Sequence, residues 1–572
     1  MKTTSSKGWT VPEQRPSDGP KPSLEPKAVR RWLTMLPMAD TAATARALTA
    51  AISETNALQL SPARRLRFLE QTADVIHYVV ESQRKQYAAQ QFPLSERKQR
   101  ALELSVALLE ASCLGYLAIA SPVFAKRDKL RKAKLSRAVY QGLRFGGQLL
   151  LEHYVVYQPA PPGLWRYLHR LYRHAEQHEI HTLPLNDAGP EPARRTNIAE
   201  VYRQILLIAL IGPYRMRPFE AVDKYRQLRR WAGYVALEDV AAHADALFRV
   251  NLDSDAPPAP AQQLRRSAFS RAVLIDAVIQ RLEETARGRR PRWQPWRKPR
   301  PPADAAELSK LKQLLAHSLP RRFPRRPQNG HVEVVIGLST VSGYLAEEQN
   351  QSYQTAVTNS QYEVRELTAT EDTSSDVWAM IYPSELLQRL KVEEEPAADQ
   401  PCSAHTETQW NVLNASAGGY CILARPEQAA KAQVGDIIAL RAPAGARQRH
   451  WQAGVIRWLK YVHDEGLQLG IEVLASNPIP VIAQPRLEAG YGTPSRALLL
   501  PEVLATETTV SVITPSLNYA EGCKVLLESG GDRSEIVLGR TLESTGLFSR
   551  FEFHASGSDQ RDQSFAAALE AL

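Results

Sequence analysis

The chain predicts a multi-domain α+β fold, an all-α N-terminal half followed by a β-rich half. Two observations carry this. Apolar residues recur every three or four positions up to about residue 287, whereas beyond residue 330 they alternate in short runs cut by Gly, Pro, Asn and Asp. Charge divides near the same place: residues 1–300 carry 48 Lys+Arg against 28 Asp+Glu, net +20, and residues 301–572 carry 23 against 33, net −10. With 572 residues, 44% of them hydrophobic, the chain has apolar material for roughly two to four cores.

Residues 1–28 are polar and rich in Ser and Pro, which predicts a disordered tail without the apolar segment of a signal peptide. The all-α domain spans 29–287. SPARRLRFLEQTADVIHYVV sets Ser61 as N-cap and Pro62 at the first helical position, then places Leu66, Leu69, Ala73, Ile76 and Val80 on one stripe. SERKQRALELSVALLEASCLGYLAIA, LSRAVYQGLRFGGQLLLEHYVVY, TNIAEVYRQILLIALIG and AFSRAVLIDAVIQRLEET repeat the pattern. The longest apolar stretch, Leu104 to Ala125, is interrupted by Glu110 and reads as too broken for a membrane span.

Residues 288–302 form a basic linker in which Trp293 and Trp296 interleave with Arg and Pro, and 303–320 a further helix. Residues 321–480 carry HVEVVIGLS, QWNVLNAS, GYCILAR, DIIALRA, WQAGVIRWLKYV and LQLGIEVLAS, short β-type runs that predict a barrel or sandwich, with an insertion at 340–405 holding the strand-like YEVREL and DVWAMIY. A C-terminal β-rich unit at 481–572 completes the chain and is expected to pair with the insertion.

Several chemistries find no support. The four cysteines, Cys113, Cys402, Cys421 and Cys523, lack metal-ligand or disulfide spacing and read as reduced thiols of a cytoplasmic protein. His174 and His178 lie four apart, but Ala175 stands where the metalloprotease helix needs Glu, so they read as a polar helix end and no metal is expected. With no P-loop, G-x-S-x-G elbow or H-E-x-x-H helix, no enzyme and no cofactor are expected.

Two stretches stand out. RRFPRR at 321–326 sets Arg321 four residues before Arg325, and Arg322 four before Arg326, at the entrance of a strand. NASAGG at 414–419 sets Asn414-x-Ser416-x-x-Gly419 between two strands. Guanidinium groups fork onto phosphate oxygens and guanine O6/N7 and stack on bases, Asn and Ser offer short donors and acceptors, and Gly lets a backbone turn or approach closely. The order RRFPRR, strand, N-x-S-x-x-G, GVIRW strand, LGIEVL strand resembles the PilZ domain, the bacterial cyclic-di-GMP receptor, and the large multi-domain form looks like the FimW group of these receptors.

That resemblance implies a six-stranded antiparallel barrel binding cyclic di-GMP through Arg321, Arg322, Arg325, Arg326, Asn414, Ser416 and Gly419. It also implies an output in surface attachment, type IV pili, motility or exopolysaccharide, through a protein partner of the pilus or motility machinery, from the cytoplasm at the inner-membrane face or cell pole. The chain departs from the compact pattern in the nearly ninety residues between Arg325 and Asn414, an insertion that costs little in closure entropy. Two alternatives stay open: a nucleic-acid-binding protein using the basic half, and a PilZ scaffold for protein partners that binds no nucleotide. The basic half also suits an anionic membrane surface.

Overall fold

The computed structural model describes residues 9–16, 24–88, 91–187, 194–287, 305–316, 326–359, 408–416, 418–425, 430–442, 450–487, 490–501, 510–530 and 532–555. The chain divides into two compact units, Met1–Gly330 with Asn411–Val434 and Ile456–Glu472, and His331–Trp410 with Gly435–Val455 and Val473–Leu572.

The first unit is built on α1 Pro26–Thr34, α2 Thr41–Ala57, α3 Pro62–Tyr87, α4 Glu96–Phe124, α5 Lys132–Val155, α6 Leu164–Gln177, α7 Ile198–Leu210 and α8 Pro218–Trp231, followed by α9 Asp276–Arg287 and α10 Ala305–Ala316. Proline opens α1, α3 and α8 at positions where its missing N–H costs nothing. Asp40 and Asn197 cap α2 and α7 by accepting from Ala43 N and Glu200 N, each at 2.9 Å. Ser61 stands at the N-cap of α3 but makes no side-chain cap bond.

Helix α4 is long and apolar enough to cross a membrane by length and composition, and 61% of its apolar window is buried. Leu108, Leu109, Tyr116 and Ile119 are at most 1% exposed within the helical core, so the stretch that the interruption at Glu110 had excluded as a span serves as a core helix. It approaches α3 closely because Gly115 has no side chain; a Cβ there would fall 2.9 Å from Leu69 Cδ1. Arg84 and Glu152 form a buried ion pair, with Arg84 Nε 2.9 Å from Glu152 Oε2 and Tyr87 Oη donating to the same oxygen at 2.7 Å. Burial alone would depress Arg84; the Glu152 carboxylate outweighs it and raises the guanidinium above its usual range.

Several features depart from the sequence expectation: besides the short strands Gln91–Phe92 and Leu185–Asp187 with Arg194–Thr196, the stretch AFSRAVLIDAVIQRLEET, read as one helix, is a strand over Ser270–Leu274 and a helix only from Asp276. Residues 9–16, expected within a disordered tail, dock on the helices: Trp9 Nε1 donates to Pro162 O at 3.0 Å and its ring lies 4.9 Å from Tyr167, while Arg15 bridges to the end of α2. Gly163, at φ +86°, makes room, since a Cβ would meet Trp9 Cδ1 at 2.4 Å. Within the region read as all-α, Ala236–Asp239, Phe248–Asn251, Ala259–Pro260 and Ser270–Leu274 form a four-stranded antiparallel sheet. Strands of two to five residues are too short to display a period of two.

The β half contains a closed six-stranded barrel. Around it run Gly419–Ala424, Gly466–Ser476, Gln452–Val462, Ile437–Arg441, Arg326–Ile336 and Thr408–Ser416, which pairs back onto Gly419–Ala424. Neighbours alternate in direction. The expected linker at 288–302, the strand-like YEVREL and DVWAMIY and the terminal segment SGSDQRDQSFAAALEAL lie outside the described residues. The inserted stretch begins as a helix, α11 Leu338–Asn359.

In the second unit α11 is tied to the barrel by Arg441. Its Nε donates to Glu333 Oε2 at 2.6 Å, it pairs with Glu348 of α11, and its guanidinium lies 4.3 Å from the Trp451 ring centre. Trp451 Nε1 donates to Glu348 Oε2 at 2.6 Å. Val341 and Leu345 of α11 also pack in one core with Ile437 and Val455 of this barrel and with Leu498, Leu500 and Phe548 of the C-terminal β-unit. That unit is a second barrel: Ile479–Leu487, Ser495–Leu500, Ser511–Pro515, Phe548–Ala555, Asp532–Ser544 and Lys524–Ser529 pair in turn, and the last returns to the first. The start of the insertion and the C-terminal unit thus share a core, but through a helix face instead of paired strands.

Within the first unit the PilZ-like strands are joined to the helices. Gln91–Phe92 pairs antiparallel with Ala430–Lys431, and Tyr461 N donates to Tyr157 O at 2.9 Å. Phe92 is 1% exposed, with its ring 5.6 Å from Tyr157 and 5.7 Å from Tyr461. Tyr157 holds φ +57°, a left-handed conformation that a bulky residue adopts only when surrounding contacts compensate.

Candidate ligand-binding site

The strands carrying Asn414 and Gly419 form a tight antiparallel pair. Ser416 stands opposite Gly419, which in turn stands opposite Glu472; Asn414 stands opposite Cys421, which stands opposite Gly470. Directly paired residues project to one face of a sheet, and exposed Glu472 identifies it as the outer wall. Ile422, Leu469 and Ile471, on the opposite parity, are at most 4% exposed and fill the interior. Trp410, two residues before inward-facing Val412, is 2% exposed and acts as the core aromatic that its strand position predicts.

Asn414, Ser416 and Gly419 therefore share one patch of barrel wall. Gly419 answers to backbone geometry, because a Cβ would sit 2.0 Å from the Ile471 carbonyl oxygen. Ser416 Oγ donates to Gly419 O at 3.3 Å and closes the turn. These two build the hairpin. Asn414 differs: its Oδ1 is buried and has no hydrogen-bond partner among the described residues. The register shifts between Cys421 and Ile422, pairing them with Asn414 and Val412, so Leu413 is an extra residue in its strand. A bulge of this kind re-aims the adjacent side chain. An orphaned buried acceptor costs about 1–3 kcal/mol, and a donor from a bound molecule would recover it.

Arg326 opens its strand and is exposed. Since that strand runs antiparallel to its neighbour Thr408–Ser416, its first residue and Ser416 fall at the same rim of the barrel. Arg321, Arg322 and Arg325 lie outside the described residues.

Two residues that the motifs do not contain join the patch. Half-buried Trp458 lies flat against Gly470, where a Cβ would overlap its indole at 1.7 Å from Nε1. Gly470 shares a cross-strand row with Cys421 and Asn414, so an aromatic face and the orphaned amide oxygen occupy one band of the wall. One row further, Arg457 Nε lies 2.5 Å from Glu472 Oε2 and neutralises a carboxylate that would otherwise repel an anion. The pair GVIRW and LGIEVL held this signal as a Trp in one strand facing a Gly in the next, but register alone brings them together.

His174 stacks on Phe124 at 4.9 Å and His178 lies tilted against the same ring at 5.1 Å, and no group of metal-ligating side chains is found among the described residues.

A closed six-stranded antiparallel barrel with N-x-S-x-x-G on its wall and an arginine-led strand at the same rim defines a PilZ-type module. Three family models match the chain end to end: the N-terminal domain of the cyclic-di-GMP receptor FimW over residues 27–243, its middle PilZ domain over 247–480 and its C-terminal β-barrel domain over 482–556. The chain belongs to the FimW family. The cyclic-di-GMP receptor FimW of Pseudomonas aeruginosa is 26% identical, over 93% of this chain and 90% of its own length. No solved structure matches.

Proposed function

We propose that this protein is a cyclic-di-GMP receptor without catalytic activity, and that the dinucleotide binds on the barrel wall between the 321–326 arginines and Asn414. The observation that carries the reading is Asn414 Oδ1, a buried acceptor with no partner among the described residues, on a residue that shares a band of barrel wall with Gly419 and Trp458. A guanine presents N–H donors for that oxygen, O6 and N7 for an arginine fork and a ring face for the indole. The two phosphates take the remaining guanidinium groups. Each charge-assisted bond contributes about 1.5–3 kcal/mol, so two or three arginines supply much of the roughly 8 kcal/mol of a micromolar complex.

Binding gathers the arginine segment onto the rim. The barrel strands reach the helical half through Phe92, Tyr157 and Tyr461, which supports a signal passed from ligand to helices and from there to a protein partner. Differential affinity of the dinucleotide for two arrangements of this joint is what would drive the change. The output proposed is control of surface attachment, type IV pili or motility from the cytoplasm.

Calorimetric titration of cyclic di-GMP against the protein and against Arg321→Ala, Arg325→Ala and Asn414→Ala tests the reading. Saturable binding in the micromolar range that each substitution weakens is the expected result. No heat with the unaltered protein, or equal heats from all four, would turn the barrel into a scaffold; steeply salt-dependent binding of generic DNA or RNA instead would favour the nucleic-acid alternative.

A further inference from the structure

The loop from α4 into α5 reads AKRDKLRKAK over residues 125–134. Lys126, Arg127, Lys129, Arg131, Lys132 and Lys134 are all exposed, and none of the six has an ion pair or side-chain hydrogen bond among the described residues. The one carboxylate, Asp128, is turned onto the loop's own backbone, where it accepts from Lys129 N at 2.7 Å. Backbone bonds hold the loop in shape: Lys126, at φ +57°, donates its N–H to Val123 O at 3.0 Å, and Arg127 N donates to Pro122 O at 2.8 Å. Its second half runs against ordinary helix chemistry. Arg131 stands at the N-cap of α5 without a side-chain cap bond, and Lys132 and Lys134 occupy a first turn that holds no acid. Cations are disfavoured at that positive end of the helix dipole, where Asp or Ser caps and carboxylates stabilise. Three of them kept there at a cost to the helix point to a use outside the fold. Position agrees. The PilZ-like strands meet the helices through Phe92, before the start of α4, and Tyr157, after the end of α5, whereas the loop lies at the other end of both helices, roughly 40 Å away along the 29 residues of α4.

We propose that this end of the helical bundle docks on an anionic lipid bilayer, with the joint to the PilZ-like strands at the opposite end. Six uncommitted cations against one carboxylate make a local field that a plane of lipid phosphates complements, and clusters of this size hold proteins reversibly on acidic membranes. The kind of cation matters. Four of the six are lysines, compact ammonium charges on flexible stems that suit mobile headgroups better than the fixed fork geometry of a specific phosphate site. Nucleic acid fits the surface less well. The loop holds no aromatic side chain on which a base could stack, and the nearby Phe124 ring is covered by His174 and His178 of α6. A specific protein partner would need a central apolar anchor, yet Leu130, the loop's one large apolar residue, packs against the helical core. Of the carboxylates that end α6, Glu176 is paired with Arg271 at 2.7 Å and Glu179 is exposed, so the patch stays strongly positive. The net charge of +20 over residues 1–300 adds a long-range attraction to the same surface.

The test is co-sedimentation of the full-length protein with vesicles of phosphatidylcholine alone and of phosphatidylcholine and phosphatidylglycerol in equal parts. Expected is binding to the mixed vesicles only, declining as salt is raised and weakened about fivefold for each loop cation replaced by alanine. Lys129→Arg with Lys132→Arg keeps it. Charge reversal at two matched helix starts locates the surface: Lys132→Glu weakens binding roughly 25-fold, while Arg97→Glu, in the first turn of α4 at the opposite end, leaves it unchanged. Lys132→Glu melts no lower than the unaltered protein, because a carboxylate there complements the dipole, so its loss of binding is not a loss of fold. Asn414→Ala binds vesicles as the unaltered protein does, which separates this proposal from that of the barrel ligand. No binding to the mixed vesicles, equal binding to phosphatidylcholine alone, or equal weakening by Lys132→Glu and Arg97→Glu would overturn the proposal. Duplex DNA bound in preference to the vesicles and lost in Lys132→Glu would overturn it too, by assigning this end of the bundle to nucleic acid.

Discussion

Replacing Asn414 by leucine should stabilise the barrel hairpin and weaken the ligand at the same time. In the free protein Oδ1 is buried without a partner among the described residues, a desolvation cost of about 1–3 kcal/mol that an apolar side chain of similar volume removes. Opening of the Thr408–Ser416 and Gly419–Ala424 pair should therefore become rarer by about 5- to 150-fold. In the complex the balance reverses. The ligand donor that Oδ1 would have accepted is left facing a methyl group, and losing it costs a similar 1–3 kcal/mol, again about 5- to 150-fold in affinity. Hydrogen exchange of the Tyr420–Ala424 amides reads the first effect and calorimetric titration of cyclic di-GMP the second. Faster exchange in Asn414→Leu, or affinity equal to that of the unaltered protein, would refute the argument that this oxygen is a stored acceptor.

Other consequences follow from the geometry. Gly419→Ala forces a Cβ to within 2.0 Å of a backbone carbonyl, which cannot swing aside as a side chain can; a loss of about 1–3 kcal/mol should appear in thermal denaturation of the barrel together with weaker dinucleotide binding. Arg84→Met leaves Glu152 charged and buried, costing about 3–5 kcal/mol in urea unfolding, and Arg84→Met with Glu152→Leu should recover most of it. Acid should weaken the helical domain. Burial pushes His153 and His169 down to about 4, and His169 is held neutral between Tyr202 Oη at 2.8 Å and Ala256 O at 2.9 Å. Their depressed values mean that the unfolded chain binds these protons first. The stability they contribute is complete above about pH 6.5 and is lost as pH falls towards 4, by about 3 kcal/mol for each histidine. Circular dichroism against pH should show this limb, and His153→Leu should flatten about half of it.

The sequence by itself determined the helical stripes of α3, α4 and α5, the change of period beyond residue 330 and the two short motifs, because each rests on residues within a turn or two of one another. It also placed Asn414, Ser416 and Gly419 at one junction of two strands, though not between them: Asn414 and Ser416 end the first strand and Gly419 begins the second. Only the tertiary structure decided which of the three is spare: Gly419 and Ser416 are consumed by the hairpin, while the oxygen of Asn414, beside the bulge at Leu413, has no partner among the described residues. Trp458 reads from sequence as one more packed aromatic, and its place over Gly470 exists only once two strands have chosen their register. The docking of residues 9–16 escapes the sequence for the same reason. Hydrophobic period is a property of neighbours along the chain, whereas a register, a close approach at a glycine or an orphaned acceptor is a property of groups that meet across tens or hundreds of residues, and is fixed only when the core closes.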